Sequence, residues 1–138
     1  MSFNEDGTIM AIGSPKNAGN GSGSGHVRVF QFSSGSWSQL GLDIDGENGV
    51  DYSGGSISLN SDGTYIAIGA YGNDGNGSGS GHVRVFKYNA GSWSQLGSDI
   101  DGESAFDSSG AFVSLSSDGT IVAIGAPTNS GSATNSGH

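Results

Sequence analysis

The chain has 138 residues, of which 33% are hydrophobic and 12% charged, with 27 glycines and no cysteine. Thirteen acidic against four basic residues give a formal net charge of −9 at pH 7, which repels phosphate backbones and argues against nucleic acid as a partner. The longest apolar run, 121–124, is far too short for membrane insertion. Without cysteine there is no disulfide or thiolate metal site, and "MSFNEDGT" lacks the basic and apolar regions of a signal peptide.

In chain order, residues 1–24 hold a first strand, the turn "EDGT" (5–8), a second strand in "TIMAIG" (8–13) and a Gly-rich loop, "NAGNGSGSGH" (17–26). "HVRVF" (26–30) alternates with period two and predicts a third strand. "GSWSQLG" (35–41) carries a fourth, and the acidic segment "DIDGENGVD" (43–51) follows it. The series then restarts. "SISL" (56–59), an Asp-Gly turn of the kind hairpins favour, "YIAIGA" (65–70), "HVRVFKY" (82–88) and "WSQLG" (93–97) are the same four strands. "DIDGESAFD" (99–107), "FVSL" (112–115) and "TIVAIGA" (120–126) open a third round, which runs to "SGH" (136–138).

The period is 56 residues, as Ser24 to Ser80 and Ser61 to Ser117 show. Residues 22–47 and 78–103 differ only at 31–34 and 42 of the first copy, so 21 of 26 positions match. Four antiparallel strands per repeat of this length are the signature of a β-propeller blade. The predicted fold is therefore all-β, one β-propeller-repeat domain over 1–138 with about 2.5 blades. Its repeat phases restart near 57 and 113, and the terminal half-blade is 113–138. Propellers close with about 4–8 blades. The reading expects a homo-oligomer that completes the ring by exchange or domain swapping of half-blades, or else a fragment of a longer chain.

Tyr52-Ser53-Gly54, Phe106–Gly110, Gly69-Ala70, Gly125-Ala126-Pro127, Gly13-Ser14-Pro15 and the two "GSGHVRVF" segments resemble the FG-GAP repeat of integrin α-subunit propellers and their bacterial and algal relatives. The resemblance implies binding, cell adhesion, and an extracellular or cell-surface location. It also implies ligand on the face formed by the loops from the fourth strand to the next first strand and from the second to the third. The family often carries a Ca²⁺ loop between the first and second strands. Here that turn keeps only Asp62, Asp118, or Glu5 with Asp6, so that site is expected to be lost.

The candidate ligand-binding face collects Asp43, Asp45, Glu47, Asp51, Asp74, Asp99, Asp101, Glu103 and Asp107. Two accounts stay open for its acidic runs. Alternating carboxylates suit a divalent cation, with Ca²⁺ at Asp43, Asp45, Glu47, Asp99, Asp101 and Glu103. Asp beside Gly also caps turns through nearby backbone N–H groups. Trp37 and Trp93 are read as packing residues between blades, or as platforms for a sugar. His26, His82, Arg28 and Arg84 recur in each unit and are read as packing positions, with no catalytic residue assigned. The Gly-rich loops lack the Gly-Lys-Ser/Thr ending of a phosphate loop, while Asn20-Gly21-Ser22 and Asn76-Gly77-Ser78 match glycosylation sequons. The function read from the sequence is non-enzymatic binding or scaffolding with a glycan or protein ligand. A carbohydrate-binding module with one site per blade is the alternative, and a glycoside-acting enzyme ranks below it because its candidate carboxylates are duplicated.

Overall fold

The sequence period becomes a stack of three antiparallel sheets in a computed structural model that describes residues 1–138. The first sheet holds β1 (Ser2–Phe3), β2 (Ile9–Ser14), β3 (His26–Ser33) and β4 (Ser36–Gln39) in that order, with β5 (Ile44–Asp45) also on β3. The second repeats it with β6 (Ser56–Leu59), β7 (Tyr65–Ala70), β8 (His82–Asn89), β9 (Ser92–Gln95) and β10 (Ile100–Asp101). The third is the pair β11 (Phe112–Leu115) and β12 (Val122–Gly125). There is no helix, and none of the sheets closes on itself.

Each complete unit has five strands where the sequence pattern predicts four. The third strand is eight residues long, and β4 pairs only with its second half, Phe30–Ser33. The free edge of its first half is taken by β5, which pairs Asp45 with His26 and Ile44 with Val27. β10 does the same on β8. The β3–β4 and β8–β9 hairpins turn through Ser34-Gly35 and Ala90-Gly91, all four at positive φ, as the twist of a two-residue hairpin requires.

Alternation along the strands sets the stacking. Ile9, Ala11, Val27 and Val29 of the first sheet meet Leu59, Ile66, Ile68 and Phe86 of the second in one buried cluster. Ala67, on the opposite face of β7, is buried as well, because β11 packs over β6 and β7. The second sheet is therefore covered on both sides, and β7 reads as the near-continuous apolar run expected of such a strand.

Polar contacts between sheets recur at the same interval. Leu59 N donates to Ser2 Oγ at 3.0 Å, and Leu115 N to Ser58 Oγ at 3.0 Å. Glu5 N donates to Ser61 O, and Ser61 N to Ser117 O, both at 3.0 Å. In the three Asp-Gly turns, Asp6, Asp62 and Asp118 each accept from the backbone N–H and hydroxyl of the Thr two residues on. These bonds lower all three carboxyl pKa values; at Asp118 the Ser116 hydroxyl contributes most and, with the two Thr120 bonds, brings it to about 2.

Candidate functional site

The Gly-rich loops fix the acidic segments. Tyr52 N donates to Gly23 O at 2.9 Å and Ser53 N to Ser24 O at 3.0 Å, with a parallel bridge between Gly25 and Ser53. The next copy repeats this with Ser108 N to Gly79 O at 3.0 Å, Ser109 N to Ser80 O at 2.9 Å, and a bridge between Gly81 and Ser109. The sequon asparagines serve the same purpose. Asn20 Nδ2 donates to the carbonyls of Gly46 and Glu47 at 2.9 and 3.0 Å, and Asn76 Nδ2 to those of Gly102 and Glu103 at 2.8 and 3.0 Å. The nitrogen a glycan would occupy is thus a structural donor. The acidic loops hold Val50, Tyr52, Phe106 and Ser108 at φ between 54° and 66°, a region that is an outlier for a β-branched or bulky residue.

Three loops then enclose a pocket of about 350 Å³ with no apolar lining residue. Glu47 and Asp51 come from the segment between β5 and β6, Asp74 from the β7–β8 loop, and Asp99 and Asp101 from the end of the second sheet. Most are individually held. Asp51, buried, accepts from Asn48 N at 2.9 Å, and Asp74 accepts from Gly79 N at 2.7 Å. Asp99 accepts from Gln95 Nε2 at 2.7 Å, and its other oxygen lies 3.7 Å from His82 Nδ1. Turn capping thus accounts for Asp51 and Asp74.

Arg84 ties the second sheet to this wall. Its guanidinium is buried, donates to Asp45 O at 2.8 Å, lies 3.7 Å from Glu47 Oε1, and sits 5.3 Å above the Phe86 ring. His82 beside it is 1% exposed. Burial first, and then the Arg84 charge, push its pKa below the ordinary 6.5, so the imidazole is neutral at neutral pH. A group whose proton affinity falls on folding contributes stability that is complete above its unfolded pKa and lost as pH drops below it. Melting temperature is expected to fall as pH is lowered below about 6.5. The His82→Gln variant is expected to show a shallower slope between about pH 7 and 5; equal slopes would contradict this assignment.

The remaining candidates lie elsewhere. Asp43 and Asp45 stand by His26, with His26 Nδ1 3.6 Å from Asp43 Oδ2 and Gln39 Nε2 donating to Asp43 at 2.7 Å. They line a cleft of about 290 Å³ shared with Arg84, Phe86 and Trp93. Trp93 packs between the sheets and donates its Nε1 to Leu40 O at 2.9 Å. Trp37 lies exposed at the outer end of the first sheet, against Phe3 and Phe32. Glu103 and Asp107 belong to a third pocket, the repeat of the first, in which Ser130 replaces Asp74. Asp107 accepts there from Ser104 N and Asn129 Nδ2, while Glu103 lies 3.7 Å from His138 Nε2.

The six residues read as calcium ligands therefore fall into three places, and no acidic run forms one chelating loop. The groups whose ligand atoms come within 4.8 Å of one another are His26 with Asp43 and Asp45, and His82 with Glu47 and Asp99. Each offers two carboxylates and an imidazole. A calcium ion takes about six to eight oxygens, and two carboxylates with an imidazole supply too few, so neither group fits calcium. Sequence reasoning missed the inward role of Asn20 and Asn76 and the burial of His82. No protein-family model matches the chain, and no curated protein is similar to it.

Proposed function

We propose that this is a non-enzymatic binding and scaffolding protein. Its sheets are blades of the β-propeller type, further copies of the chain complete the propeller, and the acidic face receives the ligand. The observation that carries the reading is one sheet-to-sheet interface used twice at a 56-residue interval, Ser2 with Leu59 and then Ser58 with Leu115. Stacking each unit on its predecessor by the same contacts is how repeat arrays and propellers are built. The likeness to FG-GAP repeats supports the same architecture, and it is what suggests recognition or adhesion at a cell surface. His26 and His82, Asp43 and Asp99, and Asp45 and Asp101 are duplicates, which favours binding over catalysis.

The pocket of Glu47, Asp51, Asp74, Asp99 and Asp101 suits a cationic side chain of a protein partner, since five carboxylates line it and it lacks an apolar wall. An oligo-arginine peptide is the probe. Asp74→Asn with Asp101→Asn is expected to weaken its binding about tenfold, while the same charge change at Asp6 and Asp118, outside the pocket, has little effect. Equal weakening by both pairs would mean attraction to net charge alone and would sink the pocket assignment.

A carbohydrate reading is favoured by one observation, the cleft in which Trp93 and Phe86 stand beside Asp43, Asp45 and Arg84. An aromatic face with flanking polar groups is what a sugar needs. Glycan-array hits that survive the Asp74→Asn and Asp101→Asn changes support this cleft as the site, and an array without hits removes the reading.

A further inference from the structure

Two carboxylates and one imidazole converge where the first and second sheets meet. Glu47 lies in the segment after β5, His82 opens β8, and Asp99 stands just before β10. One ligand atom of each lies within 4.8 Å of the other two. His82 Nδ1 is 3.7 Å from Asp99 Oδ2, beyond hydrogen-bond reach, and His82 Nε2 has no hydrogen-bond partner. The His82 side chain is 1% exposed. A polar ring so deeply buried, turned toward two carboxylates and bonded to neither, calls for a partner.

The surroundings hold the carboxylates in place. Asp99 Oδ1 accepts from Gln95 Nε2 at 2.7 Å, which leaves Oδ2 toward His82. Glu47 Oε1 lies 3.7 Å from Arg84, whose guanidinium is anchored on Asp45 O at 2.8 Å. Outer contacts of this kind orient metal ligands. The charge balance favours a cation. Asp99, Glu47 and Asp51 act on the imidazole against Arg84 alone, three negative charges less one positive, or −2.

We propose that Glu47, His82 and Asp99 bind a divalent transition ion of the zinc type, with the fourth position open to the acidic pocket. Zinc takes imidazole nitrogen and carboxylate oxygen at about 2.0–2.2 Å in a tetrahedron, which sets neighbouring ligand atoms about 3.3–3.6 Å apart. The 3.7 Å between His82 and Asp99 needs little closure. Calcium and magnesium favour all-oxygen sites, whereas an imidazole with two carboxylates suits zinc. Glu47 and Asp99 line the pocket, so the ion has a path in and room for a water. The site is complete within one chain and rests on neither self-association nor a peptide ligand. The ion would tie Glu47 of the first unit to the second sheet, so binding is expected to add stability. His26, Asp43 and Asp45 form a similar group, but the His26 side chain is 11% exposed and its ring can be hydrated.

Titration calorimetry of the full chain, stripped of metal by a chelator and titrated with zinc chloride, tests the site. One equivalent per chain is expected to bind. Glu47→Gln, Asp99→Asn and His82→Gln are each expected to weaken binding at least about tenfold. The Glu47 and Asp99 side chains are 41% and 31% exposed, so these two variants keep the fold, and they decide the question if His82→Gln does not fold. His26→Gln, and Asp6→Asn with Asp118→Asn, are expected to bind as wild type does. Zinc is expected to raise the melting temperature of wild type and not that of Asp99→Asn. A wild-type chain that takes up no zinc would overturn the site. So would zinc binding that survives Glu47→Gln with Asp99→Asn, that is lost in His26→Gln, or that falls as far with the Asp6 and Asp118 changes.

Discussion

Gly81→Ala is expected to destabilise the protein by about 2–6 kcal/mol, a large part of the about 5–15 kcal/mol that holds a domain folded. Two effects combine. Gly81 sits at φ 72°, where an alanine costs about 1–3 kcal/mol. An added methyl would also be driven into the Ser109 carbonyl and stand 2.6 Å from the Ser109 amide nitrogen, and such overpacking costs about 1–3 kcal/mol. Both neighbours are backbone and cannot swing aside. Opening the Gly81–Ser109 bridge would release the loop over the acidic pocket, so pocket binding should fall with stability. Gly91→Ala is the control. Gly91 has φ 91°, but nothing lies within 4 Å of its added methyl, so only the conformational cost of about 1–3 kcal/mol remains. Chemical denaturation separates the two, and equal losses would show that the loop-to-loop contact carries no weight.

Ile68→Ala is expected to cost about 2–5 kcal/mol, the usual range for emptying a packed core position. Ile12→Ala, the same substitution one repeat earlier, should cost about 1 kcal/mol or less in the single chain, measured at a protein concentration below that of self-association. Ile68 is 1% exposed between the first and second sheets. Ile12 is on the outer face of the first sheet, where nothing in the chain covers it fully. The pair removes an identical group from equivalent backbone positions, so the difference reads the stacking interface directly. Similar losses at both sites would mean that the outer face is as well packed as the inner one.

The comparison of these isoleucines also marks how far the sequence could be read. The 56-residue period, the alternation in "HVRVF" and the Asp-Gly turns place ten of the twelve strands, because local geometry repeats whenever the letters do. Burial does not repeat with the letters. Arg28 and Arg84 occupy the same register, yet only Arg84 has a sheet beside it. β5 and β10 were hidden because a two-residue strand has no period to detect, and it forms only where the longer β3 outruns β4. The acidic face was legible as a set of loops. Its division into pockets was not, since Asp74 and Asp99 meet Glu47 through the stacking of sheets rather than through spacing along the chain. Nothing in the letters marks Val50 and Tyr52 as residues at positive φ. They adopt it because the backbone bonds to Ser22 and Gly23 hold them there.

The solution mass of the unmodified chain, measured by light scattering over a wide range of protein concentration, tests the central claim most directly. The account predicts a discrete multiple of the 13.7 kDa chain, with the stacked sheets of one copy continued by the next. A folded monomer at all concentrations would contradict it, because the exposed face of the first sheet would then need no partner.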